Sequence, residues 1–451
     1  MEKHPYVEYS AKERKEMENF SKSYKEFIGQ VKDVVSAVDY FIEELKKNGA
    51  KELDKVKKLE KGDIVYKVHH GRTVAVAKIG QLPFNFVVAH IDSPRLDMKM
   101  KFLKEKNGLA ILDTQYYGGI KPHQWFTIPL ELTGKVITKS GKEIKISGIY
   151  TTITELAPHV DRKQDGKAVK DAFAGERLDA ILATFPTEDK KKKDDGDKEP
   201  AILKTVYSYF KKMGIEKEDL YAADLSLVPA FGAFELGVDK SLIGAYGHDD
   251  RICCYTGFKA AIDSRSKRTV IAYLVDREEI GSTGIVGMRS AFFRMFIYEL
   301  MEKMGVEPTE YNYLKLANES FAVSADVTVA YDPVFPEPTD PEGGFKIGWG
   351  VCVERFLGGF GKMMSVELPV AKFRSVLSAL DKGKVRYQVG DFAKVDEGGG
   401  GTEAMILADD NIPVLDMGPA LWSMHSPFEV VSKVDLWETY KAYKVLCEAE
   451  I

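Results

Sequence analysis

Residues 269–282 read TVIAYLVDREEIGS. The apolar run stops at Asp276, and Arg277, Glu278 and Glu279 follow at once. A strand with one solvated face alternates apolar and polar residues, whereas a strand covered on both faces is apolar almost throughout. The stretch therefore predicts a buried strand of an α/β sheet whose carboxyl end opens onto charged side chains. FAVSAD (321–326) and IPVLDMG (412–418) have the same texture. Further β-patterned segments lie at 63–68, 72–79 and 84–90, the last reading FNFVVAH. Helical patterns at 250–264, 286–304, 370–381 and 434–448 alternate with these strands. Ahead of them, apolar residues from Phe20 to Leu45 recur at helical spacing, predicting one long helix from about Glu16 to Lys47 that ends at Gly49.

Between these blocks the texture changes. LDMKMKFL (96–103) alternates, β-like stretches follow at 108–113, 127–138 and 143–150, and 201–214 and 224–229 read as a helix and a strand. The organisation expected is a mixed-sheet α/β domain built from residues 1–93 and 236–451, with a β-rich domain inserted at 94–235. Residues 188–199, EDKKKKDDGDKE, balance their own charge and read as a solvated loop.

The 451 residues carry 64 basic and 69 acidic side chains, a net charge of −5, which gives no global attraction to nucleic acid or an anionic membrane. No apolar run approaches the length needed to span a bilayer, and the first residues lack an apolar signal core, so a cytoplasmic location is expected. The four cysteines form no CxxC pair, and Cys253 and Cys254 lie within an apolar helical pattern, which suits a core in a reducing compartment.

Chemistry is expected where buried strands end, because such sheets open onto a crevice at their carboxyl edge. His90 and Asp92 follow one strand, Asp276, Glu278 and Glu279 a second, and Asp326 a third. Asp249 and Asp250 precede a helix, where at least one is expected to act as its N-cap, and His425 follows the last apolar strand. Two histidines and several carboxylates are what zinc-class metals take as ligands. A metal pair needs one bridging carboxylate and further ligands on each ion, and an additional glutamate can then serve as general base. The His-x-Asp spacing lets Asp92 orient His90.

AHIDSP (89–94), GHDDR (247–251), DREEIGS (276–282), SADVTVAYDP (324–333) and SMHSPFE (423–429), in that order, resemble the aspartyl aminopeptidase family of co-catalytic zinc metallopeptidases. The resemblance runs over effectively the whole chain. It implies two divalent ions, zinc foremost with cobalt or manganese as substitutes. His90 and Asp326 would hold one ion, Glu279 and His425 the other, with Asp249 bridging. Glu278 would be the general base and Asp92 the group orienting His90. His159, in LAPHVDR, matches a histidine that reaches the active site from a neighbouring subunit. Thr402, in DEGGGGT, falls in a substrate loop, and Lys362, in GGFGK, is a candidate partner for an acidic substrate side chain. The implied substrates are small peptides with a free N-terminus, with acidic first residues preferred. The implied assembly is a homo-oligomer, a dodecamer in relatives, whose inserted domain mediates dimerisation. In YGGIKPHQWFTIPLEL (117–132), Thr127 and Ile128 stand where many relatives carry an Asp-Arg pair.

The nearest alternatives are a carboxypeptidase or an N-acyl amino acid deacylase on the same core, and a non-catalytic assembly protein. Glu278 beside a full ligand set argues against the last. No Gly-x-Ser-x-Gly elbow is present, which removes the common serine-hydrolase reading.

Overall fold

The strand at 268–275 sends its side chains alternately to two cores. Val270, Ala272 and Leu274 join one apolar cluster, and Ile271, Tyr273 and Val275 join another. The first cluster is completed by helices Ala11–Gln30, Val34–Lys47, His248–Asp263 and Lys433–Glu448, through side chains such as Phe27, Phe41, Phe258 and Tyr443. The second is completed by Phe292–Lys303, Glu310–Glu319 and Ala404–Asp409, through Phe296, Tyr313 and Leu407. Helices on both faces explain why the strand is apolar throughout.

The computed structural model describes residues 3–187 and 200–451. The charged segment at 188–199 lies outside the described residues. Contacts divide the chain into two units. One comprises Met1–Ser93, Gly232–Met424 and Phe428–Ile451, and the other Pro94–Phe231 with His425–Pro427.

The first unit holds a nine-stranded sheet in the order Lys51–Glu52, Ile64–His69, Thr73–Lys78, Arg268–Val275, Gln81–His90, Phe321–Ala325, Val414–Gly418, Val351–Glu354, Tyr387–Val389. The four strands from Arg268–Val275 to Val414–Gly418 are mutually parallel. Antiparallel neighbours on either side make the sheet mixed, as the α/β reading expects. Register sets Val275 beside His90 and Ser324 beside Val88, so three parallel strands end at one edge.

The second unit is a six-stranded antiparallel sheet, ordered Glu143–Thr151, Leu130–Ile137, Ala223–Pro229, Arg95–Lys106, Leu109–Tyr117, Ala180–Ala183. Its helix Ala201–Lys212 has no cap from its own segment. Glu105, on a strand, accepts the N–H groups of Ile202 and Leu203 at 2.8 and 3.0 Å instead.

Two elements depart from the sequence reading. The single N-terminal helix is two, broken at Val31–Asp33. Val31 is extended, and Asp33 starts the second helix by accepting Ser36 N–H at 2.6 Å. The apolar period masks this break because Val31 and Val34, on either side of it, enter the same core. The helix expected from residue 286 begins at Phe292. Residues 282–291 form a turn in which Gly287 lies so close that a Cβ there would sit 2.3 Å from the Ser282 carbonyl oxygen.

Candidate metal centre

His90 closes the strand Gln81–His90 and is 2% exposed. Its Nδ1 lies 3.0 Å from the Asp92 carbonyl oxygen and 3.4 Å from Asp92 Oδ1, so that nitrogen carries a proton and donates. Its Nε2 faces three acids: Asp249 Oδ1 at 3.2 Å, Asp326 Oδ1 at 3.7 Å and Glu278 Oε2 at 4.0 Å. Burial works to lower its pKa, but hydrogen bonding to Asp249, Asp326 and Asp92 holds it well above the ordinary histidine value.

Asp92, fully buried, has a further role. Its Oδ1 accepts Glu278 N–H and its Oδ2 accepts Glu279 N–H, each at 3.2 Å. One residue therefore fixes the imidazole, through its carbonyl, and the turn that presents both glutamates, through its carboxylate. Arg72 pairs with the buried Asp276 at 2.8 Å, and Asp276 accepts Arg277 N–H at 2.9 Å, which anchors the same turn at its start.

Asp249 and Asp250 open the helix His248–Asp263 but keep non-helical backbones, and the peptide bond between them is cis. The N-cap is Gly247, at φ 80°, with no side-chain cap. The expectation that one of the two acids caps the helix is thus corrected. Both carboxylates are turned inward instead, 3% and 0% exposed. Glu429 accepts Asp249 N–H at 3.1 Å, and Ser93 Oγ donates to the Asp249 carbonyl. His248 is braced by Tyr24 from the first long helix, with Tyr24 Oη 2.7 Å from Nδ1 and the Ile243 carbonyl 3.1 Å from Nε2. Burial holds His248 neutral, its pKa lowered to about 3.

Metal fit can be judged from these donors. Among the described residues, His90, Asp250 and Asp326 form one group, and His90, Asp249 and Glu279 another, with ligand atoms within 4.8 Å of one another. Asp250 Oδ1 is buried without a hydrogen-bond partner. Burial pushes Glu278, Asp250 and Asp326 above the usual carboxylate range, with Asp326 adding to the rise at Glu278 and Asp250. Several buried acids converging on one imidazole nitrogen call for positive charge, and the nitrogen–oxygen set with short reach suits a zinc-class ion.

The other expected residues stand elsewhere. Neither donor group includes His425, which partitions with residues 94–231, and its Nδ1 lies 2.8 Å from the Gly119 carbonyl. His159 is exposed in an irregular segment. Lys362 Nζ is 3.3 Å from Glu367 Oε2 and 3.5 Å from the centre of the Phe356 ring, while Arg355 holds the other Glu367 oxygen at 2.7 Å. Thr402 Oγ1 donates to Asp416 at 2.5 Å. Sequence reasoning passed over Asp250 as a donor, and also Glu403, Glu429 and Tyr24. The doubled acid in GHDDR was the only visible signal among them, because the others act through contacts distant in sequence.

Histidine and carboxylates gathered at the carboxyl ends of adjacent parallel strands define a metallohydrolase. The family model for aminopeptidase I zinc metalloprotease (M18) matches residues 27–446, and the chain belongs to that family. It is a zinc-dependent aminopeptidase. A probable M18 family aminopeptidase 1 of Borrelia garinii subsp. bavariensis is 37% identical over 456 residues, covering 98% of each chain. The crystal structure of an M18 aminopeptidase from Thermotoga maritima superposes with a TM-score of 0.93 at 35% identity, covering 99% of each chain. The mApe1 dodecamer of S. cerevisiae shares the fold at 19% identity, with a TM-score of 0.76 over 95% of this chain and 96% of its own. No helix among the described residues is long and apolar enough to cross a membrane.

Proposed function

We propose that the chain removes the N-terminal residue from small peptides by using two divalent ions, and that Glu278 is the general base. The observation that carries this reading is the double grip of Asp92, which sets His90 and the Glu278-Glu279 turn against the same space. His90 and Asp326 would hold one ion, Glu279 and His425 the other, and Asp249 would bridge. His425 has its Nδ1 2.8 Å from the Gly119 carbonyl, so it would bind an ion through Nε2, the usual arrangement for a ligating histidine. Bound ions supply charge that polarises the scissile carbonyl and acidifies water. Glu278, part-buried and raised above the usual carboxylate range by that burial, is a carboxylate suited to accept the proton of attacking water and return it to the leaving amine.

The inserted domain, residues 94–235, would mediate dimerisation, and the dodecamer solved for a relative is the assembly proposed here, with His159 reaching a neighbouring active site. Lys362 already pairs with Glu367, so binding an acidic first residue requires it to change partner, and Thr402 would act through its loop.

The test is hydrolysis of amino-terminal chromogenic substrates (Asp, Glu, Leu, Ala, Lys) and their acetylated forms, after metal stripping and after addition of zinc, cobalt or manganese. Cleavage of free-amine substrates alone, restored by metal, is expected. The Glu278→Gln protein should lose about 10²–10⁴-fold in kcat while keeping its metal. Release of acetate from the acetylated forms without cleavage of the free-amine forms would replace this reading with a deacylase, and the Asp-to-Leu ratio reads acidic preference directly.

A further inference from the structure

Ser282 closes the turn that carries Glu278 and Glu279. Its N–H donates to the Arg277 carbonyl at 2.8 Å, its own carbonyl accepts Arg289 N–H at 3.1 Å, and Gly281 N–H reaches the Glu278 carbonyl at 2.8 Å. The residue is 5% exposed with φ at 58°, a left-handed backbone held by these bonds. Its hydroxyl donates to Glu403 Oε1 at 2.9 Å.

Glu403 is 3% exposed and sits at the start of the short helix Ala404–Asp409. Its second oxygen, Oε2, is buried without a hydrogen-bond partner, as is the hydroxyl of Tyr273 on the strand leading into the same turn. A buried carboxyl with one oxygen left unsatisfied is costly, and native structures keep such a group where it serves something besides stability. Burial pushes Glu403 up to about 8.

The neighbouring residue grips the other side of the site. Thr402 Oγ1 donates to Asp416, and Asp416 lies in register with Ser324, two residues before Asp326. The Thr402-Glu403 pair thus ties the turn that carries Glu278 to the strand Val414–Gly418, which pairs with the strand leading to Asp326. Asp92 holds the turn at its first N–H groups, and Ser282 with Glu403 holds it where it closes.

We propose that Glu403 is a positioning residue for the general base, holding the Glu278 turn in its working geometry through the Ser282 hydroxyl. The proposal rests on the reading of Glu278 as base. It concerns the hydrogen bond, not bulk at position 403, so a variant that preserves the acceptor should preserve turnover.

The test compares Glu403→Ala, Glu403→Gln, Ser282→Ala and the Ser282→Ala/Glu403→Ala double variant as zinc-loaded proteins, with Glu278→Gln alongside. The readouts are kcat, KM, bound zinc per chain and melting temperature. Displacing a catalytic group by a fraction of an ångström to an ångström costs up to about a hundredfold, so Glu403→Ala and Ser282→Ala should each lower kcat about 10–100-fold with KM and bound zinc unchanged. The double variant should be no slower than either single one, because both remove the same contact. Glu403→Gln, whose amide oxygen accepts the same bond, should restore kcat to within about threefold of the parent. Parent-like kcat in Glu403→Ala, a Gln variant as slow as the Ala variant, or a loss that follows zinc content would each overturn the proposal. Should Glu403→Ala fail to fold, Ser282→Ala carries the same expectation alone. An active Glu278→Gln protein would overturn the general-base reading itself. A silent one beside a parent-like Glu403→Ala would overturn only the positioning role.

Discussion

At the scale of single residues, the site is governed by where each carboxylate spends its lone pairs. Asp92 uses both oxygens on the N–H groups of Glu278 and Glu279 while its carbonyl takes the His90 proton. An asparagine there offers one acceptor where two are needed. Groups that orient metal ligands typically contribute 10–100-fold, so Asp92→Asn should weaken zinc binding or turnover by about that factor, read by zinc competition and kcat together. Unchanged values in both would remove the role assigned to Asp92. Asp435 illustrates a different cost. It is fully buried, accepting Gly348 and Gly350 N–H at 2.6 and 2.7 Å, and burial raises its pKa to about 8. In the unfolded chain an aspartate titrates near about 4, so the folded state binds the proton more tightly. This contribution is fully present below pH ~4 and is lost as pH rises toward about 8. Urea midpoints of metal-stripped protein between pH 5 and pH 8 should therefore fall more steeply with pH for the parent than for Asp435→Asn. Equal slopes would exclude the shift.

At the scale of elements, the N-terminal helices are part of the site's scaffold. Tyr24 on Ala11–Gln30 bonds His248, and the fully buried Arg251 donates to the Lys32 carbonyl, at 3.1 Å, in the break between the two helices. Both contacts converge on the segment that delivers Asp249 and Asp250. Tyr24→Phe leaves His248 Nδ1 buried with no donor, which should cost about 1–3 kcal/mol in denaturant unfolding. The same substitution should lower zinc affinity if helix docking sets the ligand segment, and a change in stability alone would confine Tyr24 to packing. The break also shows what periodicity conceals. An N-cap aspartate at residue 33, three residues ahead of a serine, is a local start signal. Continuous apolar spacing overrode it in the sequence because both helices bury the same face.

At the scale of the whole molecule, the metal and the fold are linked. Asp249, Asp250, Asp326, Glu278 and Glu279 converge around a single imidazole, and burial alone cannot make that arrangement favourable. A ligand that binds the folded state but not the unfolded one stabilises it by mass action. Stripped protein should therefore melt at a lower temperature than zinc-loaded protein, with the melting temperature rising as free zinc increases, measured by calorimetry. Equal melting temperatures at saturating zinc would mean that the acids are neutralised by protons instead.

The sequence by itself determined the sheet and the chemical type of the site. Apolar runs cut short by His90, Asp276 and Asp326 read as strands buried on both faces, with the acids beyond them expected at the sheet's open edge. That inference is local, since it needs only the period of the side chains and the charge at the run's end. The tertiary structure alone decided what those side chains touch. Asp250 is turned inward while Gly247 takes the cap position. Lys362 is spent on Glu367, and Glu403 meets Ser282 across 121 residues of chain. A hydrogen bond depends on separations of a few tenths of an ångström between groups remote in sequence, and no pattern along the chain carries that information.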